Sequence, residues 1–450
     1  MRHKTITLPR FSLACLLLGV SIVSIQAQDQ ARAKYCDPSK EVKEELQRLP
    51  DEWDGSLHYH EAKLQKVSRL RALLKQHPKD SFIHRRYQLA QQAVTRETET
   101  LIEEYRALLD KNPNEPVFQY LYAKLLIGVN TKEAEALLQK AVQTEPSFAR
   151  AYLGLVDVYQ SRSMPDKAKE EENLKRYMTM CPDSLVSYTY IQQMSDKEYA
   201  RKATGRLREL LEKGDDPQDF SNYSTLWRLE FSLTPVAEHD KVRARIAEDL
   251  KRIRTLNLTR NRLWFQTLSD GYTKVNDKEG GAWADEQQIA NFPRSFSTAQ
   301  AVIKKWRDAN PWPQRDASKE AKDAYNRSLL QATDKWIQQW PDYPALWTDR
   351  VYAISQMESA SASEAEAAAE GLLNALKKSP GFIYGIPPIT FSAARLYLKK
   401  NVKLERIPQI VSDGFVEVEE RTRRDQQSEG MTPETKEAMS GNLKYTRWQG

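Results

Sequence analysis

Apolar side chains return along this chain at intervals of three and four residues, and the runs are stopped again and again by proline. Phe118, Leu121, Tyr122 and Leu125 stand at i, i+3, i+4 and i+7, one stripe of a helix. A second run follows with Ala134, Leu138 and Ala141 before Pro146. The small alanines predict a helix that approaches its predecessor closely, so the pattern predicts helical hairpins. The punctuating prolines Pro78, Pro113, Pro146, Pro182 and Pro217 are separated by 35, 33, 36 and 35 residues. With only 16 glycines and no long Val/Ile/Thr alternation, nothing in the pattern calls for strands.

Neighbouring segments repeat the logic with variations. Tyr152, Leu155, Val156 and Tyr159 are followed by Ala168, Leu174 and Tyr177 before Pro182, while Glu170 to Glu172 depart from the pattern. The segment before Pro113 is looser, with Ile83, Tyr87 and Ala90, then Leu101, Tyr105 and Leu108. Further on, a helix break near Asn257 stands in for a missing proline, and Pro293, Pro341 and Pro380 continue the series. Ala368, Leu372 and Ala375 hold the same offsets before Pro380 as Ala134, Leu138 and Ala141 hold before Pro146. Asn310-Pro311-Trp312-Pro313 cannot continue a helix and predicts an inserted loop. After Pro408 a helix over 409–424, a polar linker over 425–433 and a short amphipathic stretch ending Trp448-Gln449-Gly450 are expected, with no obvious polar capping helix.

The spacing, and the order of Phe118, Tyr122, Ala134, Leu138, Ala141 and Pro146, resemble the tetratricopeptide-repeat (TPR) family, whose period is about 34 residues. The resemblance implies an all-α, right-handed TPR-like α-solenoid of about nine helix-turn-helix units. It is regular over 64–217 and divergent over 218–408, with a lead-in over 28–63 and C-terminal helices with a polar linker over 409–450. It further implies a concave groove lined by the first helices that binds a protein or peptide, for which Gln119, Lys124, Arg150 and Asp157 are the candidate contacts. The family's Lys and Asn clamp for acidic C-termini is not found in register. A weaker resemblance links the chain to bacterial exported TPR proteins that carry a thioredoxin-like or redoxin domain. That domain and its Cys-x-x-Cys do not occur in these 450 residues, so any redox chemistry would be supplied by a thioredoxin-like partner or by a longer gene.

The N-terminus changes the charge picture. Arg2, Lys4 and Arg10 precede an apolar run from Phe11 to Ala27, the pattern of a secretory signal peptide over residues 1–27. No other segment is apolar enough to span a bilayer, which takes about 20 residues; an uncleaved signal would anchor the N-terminus. The expected location is periplasmic or secreted. In residues 28–450, 65 Lys and Arg face 62 Asp and Glu with the signs interspersed, which argues against a nucleic-acid surface. Cys36 and Cys181 remain, 145 residues apart; because solenoid units touch mainly their neighbours, the two are expected to stay unbridged.

Catalytic and cofactor signatures are missing: no phosphate-binding glycine loop, Gly-x-Ser-x-Gly elbow or His-Glu-x-x-His helix occurs. The chain is therefore expected to bind rather than catalyse, with no cofactor. His58 and His60, between Asp54 and Glu61, are weak metal candidates, short of a full ligand set. Seven of the ten tryptophans fall between Trp264 and Trp347. Trp336 and Trp340 share a helix face, and core packing is the favoured reading, a carbohydrate- or polymer-binding surface the alternative. Arg421, Arg423 and Arg424 read as a solvated helix end, and the Asn-x-Ser/Thr sequons at Asn222, Asn257 and Asn326 as chance.

Overall fold

Proline decides where these helices stop. In a computed structural model of the protein, Pro78, Pro113, Pro146, Pro182, Pro293 and Pro341 each open a two-residue turn between helical segments. The model describes residues 35–51, 55, 57, 59–95, 98–161, 163–214, 216–379 and 389–427. Residues 1–27, where a signal peptide is expected, His58, Pro380 and residues 428–450 lie outside them. A residue before proline is pushed out of the α region, and Glu145, Cys181, Phe292 and Trp340 all end their helices with φ between −137° and −127° and positive ψ. At three of these prolines a side chain six residues on caps the carbonyl. His84 Nε2 donates to Pro78 O at 3.0 Å, Gln119 Nε2 to Pro113 O at 2.8 Å and Trp347 Nε1 to Pro341 O at 2.6 Å.

The described residues contain helices and no strand. Two lead-in helices, α1 (Lys40–Gln47) and α2 (Tyr59–Gln76), precede nine helix pairs. The first three are α3 (Ser81–Thr95) with α4 (Glu99–Lys111), α5 (Pro116–Leu126) with α6 (Thr131–Thr144), and α7 (Ala149–Gln160) with α8 (Lys167–Met180). In the fourth, a 3-10 stretch, Leu185–Gln193, takes the place of the first helix before α9 (Lys197–Lys213). Its run Leu-Val-Ser-Tyr-Thr-Tyr-Ile is rich in β-branched, aromatic and hydroxyl residues, all poor helix formers. The fifth pair is α10 (Asn222–Leu233) with α11 (His239–Thr255), and the sixth α12 (Arg262–Lys274) with α13 (Lys278–Asn291). Then come α14 (Phe296–Ala309) with α15 (Lys319–Gln339), α16 (Pro344–Gln356) with α17 (Ala362–Lys378), and α18 (Thr390–Lys400) with α19 (Ile407–Gln427). The fold is an all-α, TPR-like solenoid.

Second helices start at designed caps. Asn130, Asp166, Asp196, Asp277 and Ser318 each accept a backbone N–H of the first turn, and Ser361 forms a full capping box with Glu364. The expected packing alanines are in place, with Ala134, Leu138, Ala141, Ala368 and Leu372 fully buried and Ala375 at 1%. Gly154 lets α7 touch α6: an added Cβ would fall 2.6 Å from Leu138. Ala168 does not take the expected core position, for it is exposed and Glu170 is buried instead. Glu170 stands as far before Pro182 as Ala134 does before Pro146, and Gln160 (2.8 Å) and Lys167 (2.9 Å) satisfy its carboxylate. Pro217 also differs from its series, since it opens a 3-10 turn, Pro217–Ser221, four residues beyond the end of α9. The predicted Asn257 break is real, the residue adopting φ 52° just after α11, and residues 310–318 form the predicted loop.

The chain divides into two compact units: one comprises the described residues through Arg48 with His77–Arg85 and Glu99–Ser187, the other Leu49–Gln76, Arg86–Thr98 and everything from Tyr188 on. In the first, α5 touches α7 directly; in the second, α10 touches α12 and α16 touches α18, so first helices meet along each stack. Among the described tryptophans of the second unit, Trp227, Trp264, Trp336 and Trp340 are core, Trp283, Trp306 and Trp347 are half-buried and Trp312 is exposed. Here too the expectation that only neighbours touch fails: buried Arg262 donates to Asp51 at 3.2 Å across 211 residues.

Candidate partner-binding surfaces

Within the first unit, the inner face is set by positions four, seven and eleven residues after each proline. Phe82, Arg85, Tyr120, Lys124, Arg150 and Asp157 fall on these positions. Lys124 ion-pairs with Asp157 across α5 and α7. The Arg150 guanidinium lies over the Phe82 ring at 4.5 Å and near the Tyr120 ring at 6.0 Å. Three of the four predicted groove residues thus meet on one face. Gln119 does not: it is fully buried and caps the Pro113 carbonyl, and Tyr120, one position on, occupies the face. One residue along a helix is about 100° of rotation, enough to exchange face for core. Burial would raise the Tyr120 phenol, but the cations Arg150, Lys124 and Arg85 outweigh it and the pKa falls.

The N-terminal segment docks beside that face, on Phe148. The Tyr35 ring stands edge-on to Phe148 at 4.8 Å and its hydroxyl donates to Glu145 at 3.0 Å. The one Ser184 hydroxyl proton is shared between the Asp37 carboxylate at 3.0 Å and the Cys36 carbonyl at 3.2 Å, while the Tyr177 hydroxyl donates to Ser184 Oγ at 3.0 Å and lies 3.4 Å from the same carbonyl. Burial pushes the Asp37 pKa up, partly offset by Ser184 and the charge of Arg150. Cys36 and Cys181 form a disulfide with Cα atoms 5.4 Å apart. This overturns the expectation that they stay unbridged. Cys36 precedes the repeats, and its segment folds back onto the pair of α7 and α8, at Phe148, Tyr177 and Cys181.

In the second unit the corresponding face is open. A groove of about 660 Å³ lies between α10 and α12, lined by Ser224, Thr225, Arg228, Phe231, Asp270 and Lys274. Lys274 and Asp270 pair with each other at 2.5 Å. The back of α10 is held by a buried network. Arg208 donates to both oxygens of Glu230 (2.8 and 2.9 Å) and of Asp249 (3.0 and 3.1 Å), and Trp227 Nε1 donates to Asp249 at 2.8 Å. Burial raises the Asp249 pKa, opposed by Arg208 and Trp227. Burial acts to lower Arg208, but the two carboxylates raise its pKa overall. The groove side of α10 is thereby presented on a rigid helix. Its residues carry no sequence signal beyond lying on a first helix.

Among the described residues no group of three or more His, Cys, Asp or Glu could hold a metal, and no helix is long and apolar enough to cross a membrane. His60 is half-buried at the start of α2; its candidate partners His58 and Asp54 lie outside the described residues. The side chains of Arg421, Arg423 and Arg424 lie outside them as well.

No protein-family model and no curated protein matches the sequence. Among solved structures, the chain is similar to Naa15/Naa10 bound to HypK-THB, with 13% identity and a TM-score of 0.31 over 87% of this chain and 62% of that one. It thus spans less than two thirds of that chain. It is also similar to the TPR domain of P58(IPK), with 14% identity and a TM-score of 0.19 over 86% and 94% of the two chains. The architecture is TPR-like. That statement rests on the nine helix pairs of this chain.

Proposed function

We propose that this chain is an exported helical-repeat scaffold or adaptor that binds an extended segment of a protein partner in the groove between α10 and α12; binding, not catalysis, is its activity. One observation carries the reading. Two successive first helices leave an unfilled groove of mixed polar and aromatic lining, backed by a buried ion network. Peptide recognition in a helical groove uses such a mixture: apolar contact for affinity, charged rims for register. Export is supported by the Cys36–Cys181 bridge, because disulfides persist in oxidising compartments. A photo-crosslinking phenylalanine analogue at Thr225 should capture a discrete partner in the exporting cell, and Arg228→Glu should abolish the capture. Equal capture from Lys251, exposed on α11, would refute the assignment.

One feature favours a carbohydrate as a second reading. Trp312, on the inserted loop, is 56% exposed with the Tyr325 and Tyr352 rings each 4.9 Å away. An exposed aromatic cluster offers an apolar face to a sugar ring. Glycan-induced quenching of tryptophan fluorescence that disappears in Trp312→Ala would support it; no response across a broad glycan panel would end it.

A further inference from the structure

The chain contains its own example of a bound peptide. Residues 35–37 meet the repeats as a ligand would, through an aromatic ring, a main-chain carbonyl and a carboxylate. The ring of Tyr35 packs on Phe148, which stands edge-on to Tyr120 at 5.6 Å. The carbonyl of Cys36 shares the Ser184 hydroxyl, with the Tyr177 hydroxyl 3.4 Å away. The carboxylate of Asp37 takes Ser184 Oγ and lies in the field of Arg150, the cation that covers Phe82. The contacts themselves define what the face accepts: an aromatic side chain followed, two residues later, by a carboxyl group that accepts the Ser184 hydroxyl.

We propose that the surface built by Phe148, Tyr177 and Ser184 beside Arg150 is a second peptide-docking surface, separate from the α10–α12 groove, and that the Cys36–Cys181 disulfide latches the chain's own Tyr35-Cys36-Asp37 segment onto it. The external ligand is a peptide carrying an aromatic residue and, two positions on, a carboxylate. Opening the latch takes a dithiol. Its thiolate attacks one sulfur of the bridge, the S–S bond breaks, and a mixed disulfide forms. The second thiol of the reductant then displaces the protein sulfur, leaving Cys36 and Cys181 as thiols and the reductant as a disulfide, with two electrons and two protons transferred. Once the covalent tie is gone, the segment is held only by its tether and local contacts, and an external peptide competes against an effective concentration set by that tether.

Hydrogen exchange on the full chain tests the latch. Dithiothreitol should raise exchange of the amides of residues 37–48 at least tenfold while those of α5 to α8 keep their protection. Unchanged exchange in that segment would show that the bridge is no latch and overturn the proposal; loss of protection throughout α5 to α8 would make it a stability staple and equally overturn it. Fluorescence anisotropy tests the docking surface. The probe is a labelled peptide of residues 35–48 with serine at the cysteine position, and the protein is the full chain carrying Tyr35→Ala, Cys36→Ser and Asp37→Ala to weaken the tethered copy. This variant should bind the probe at least tenfold more tightly than the oxidised wild type, and a probe with its tyrosine and first aspartate replaced by alanine should lose that gain. No binding by a variant that keeps the wild-type helical circular dichroism would overturn the docking surface. Should the triple variant not fold, reduced wild type against the same probe gives the same two outcomes.

Discussion

The inner face around Tyr120 and the groove beside Arg228 are built from the same element, the first helix of a TPR-like pair, yet the chain's own N-terminal segment docks beside one and the other is open. Beside Tyr120 the N-terminal segment packs on Phe148, and a disulfide holds it in place. Beside Arg228 the lining is shorter and more polar, with Ser224, Thr225 and Ser232, and the protein's investment lies behind the helix in the Arg208 network. The repeat thus supplies a frame, and a few side chains per pair decide whether its face becomes an interior or a site.

The largest effect is expected from the rear of the open groove. Arg208→Ala leaves Glu230 and Asp249, both largely buried, without their shared cation, and breaking a buried pair typically costs about 3–5 kcal/mol. Chemical denaturation should show that loss; a change below about 1 kcal/mol would mean the network contributes no net stability and the groove's rigidity has another source. Next comes the pairing itself. Ala141→Trp and Ala375→Trp put an indole where helices touch at 0% and 1% exposure and should each cost about 1–3 kcal/mol by overpacking. Unchanged melting of both would remove the close-packed hairpin as the common frame of the two regions.

The smallest effect belongs to His84, in the first unit. Its Nε2 donates to the Pro78 carbonyl, so Nδ1 accepts from the Tyr105 hydroxyl at 2.9 Å, and the ring is neutral. Burial lowers its pKa, opposed by the Pro78 carbonyl and Asp80. The unfolded chain therefore takes up a proton near pH 6.5 that the folded chain refuses, so the contribution is present above that pH and is lost as pH falls below it toward the lower folded value. The next pair carries Gln119 at this place, so His84→Gln should fold normally at pH 7 while its melting temperature falls less than wild type between pH 7 and pH 5. Parallel falls would assign the acid sensitivity to other groups.

Much of the frame was readable from residue order. The offsets that link Ala134, Leu138 and Ala141 to Pro146 located buried residues in the pair containing Ala368, Leu372 and Ala375 as well, because helix period and proline stereochemistry are local properties. Local reading slipped where a single register step mattered. Ala168 looked like the packing residue because it is small, but the offset from Pro182 selects Glu170, whose charge is tolerated only because Gln160 and Lys167 meet it. Gln119 looked like a surface residue because it is polar, but its amide is consumed by the Pro113 carbonyl.

Taken alone, the order of amino acids determined the helical period, the hairpin punctuation, the inserted loop at Pro311 and Pro313 and most of the packing positions, since each depends on residues within about one repeat. Tertiary structure alone decided which distant residues meet. The Cys36–Cys181 bridge, the Arg262–Asp51 pair and the meeting of Arg208 with Glu230 and Asp249 join residues 22 to 211 positions apart. Such contacts depend on how small rotations add up from pair to pair, a sum that no local pattern of side chains encodes.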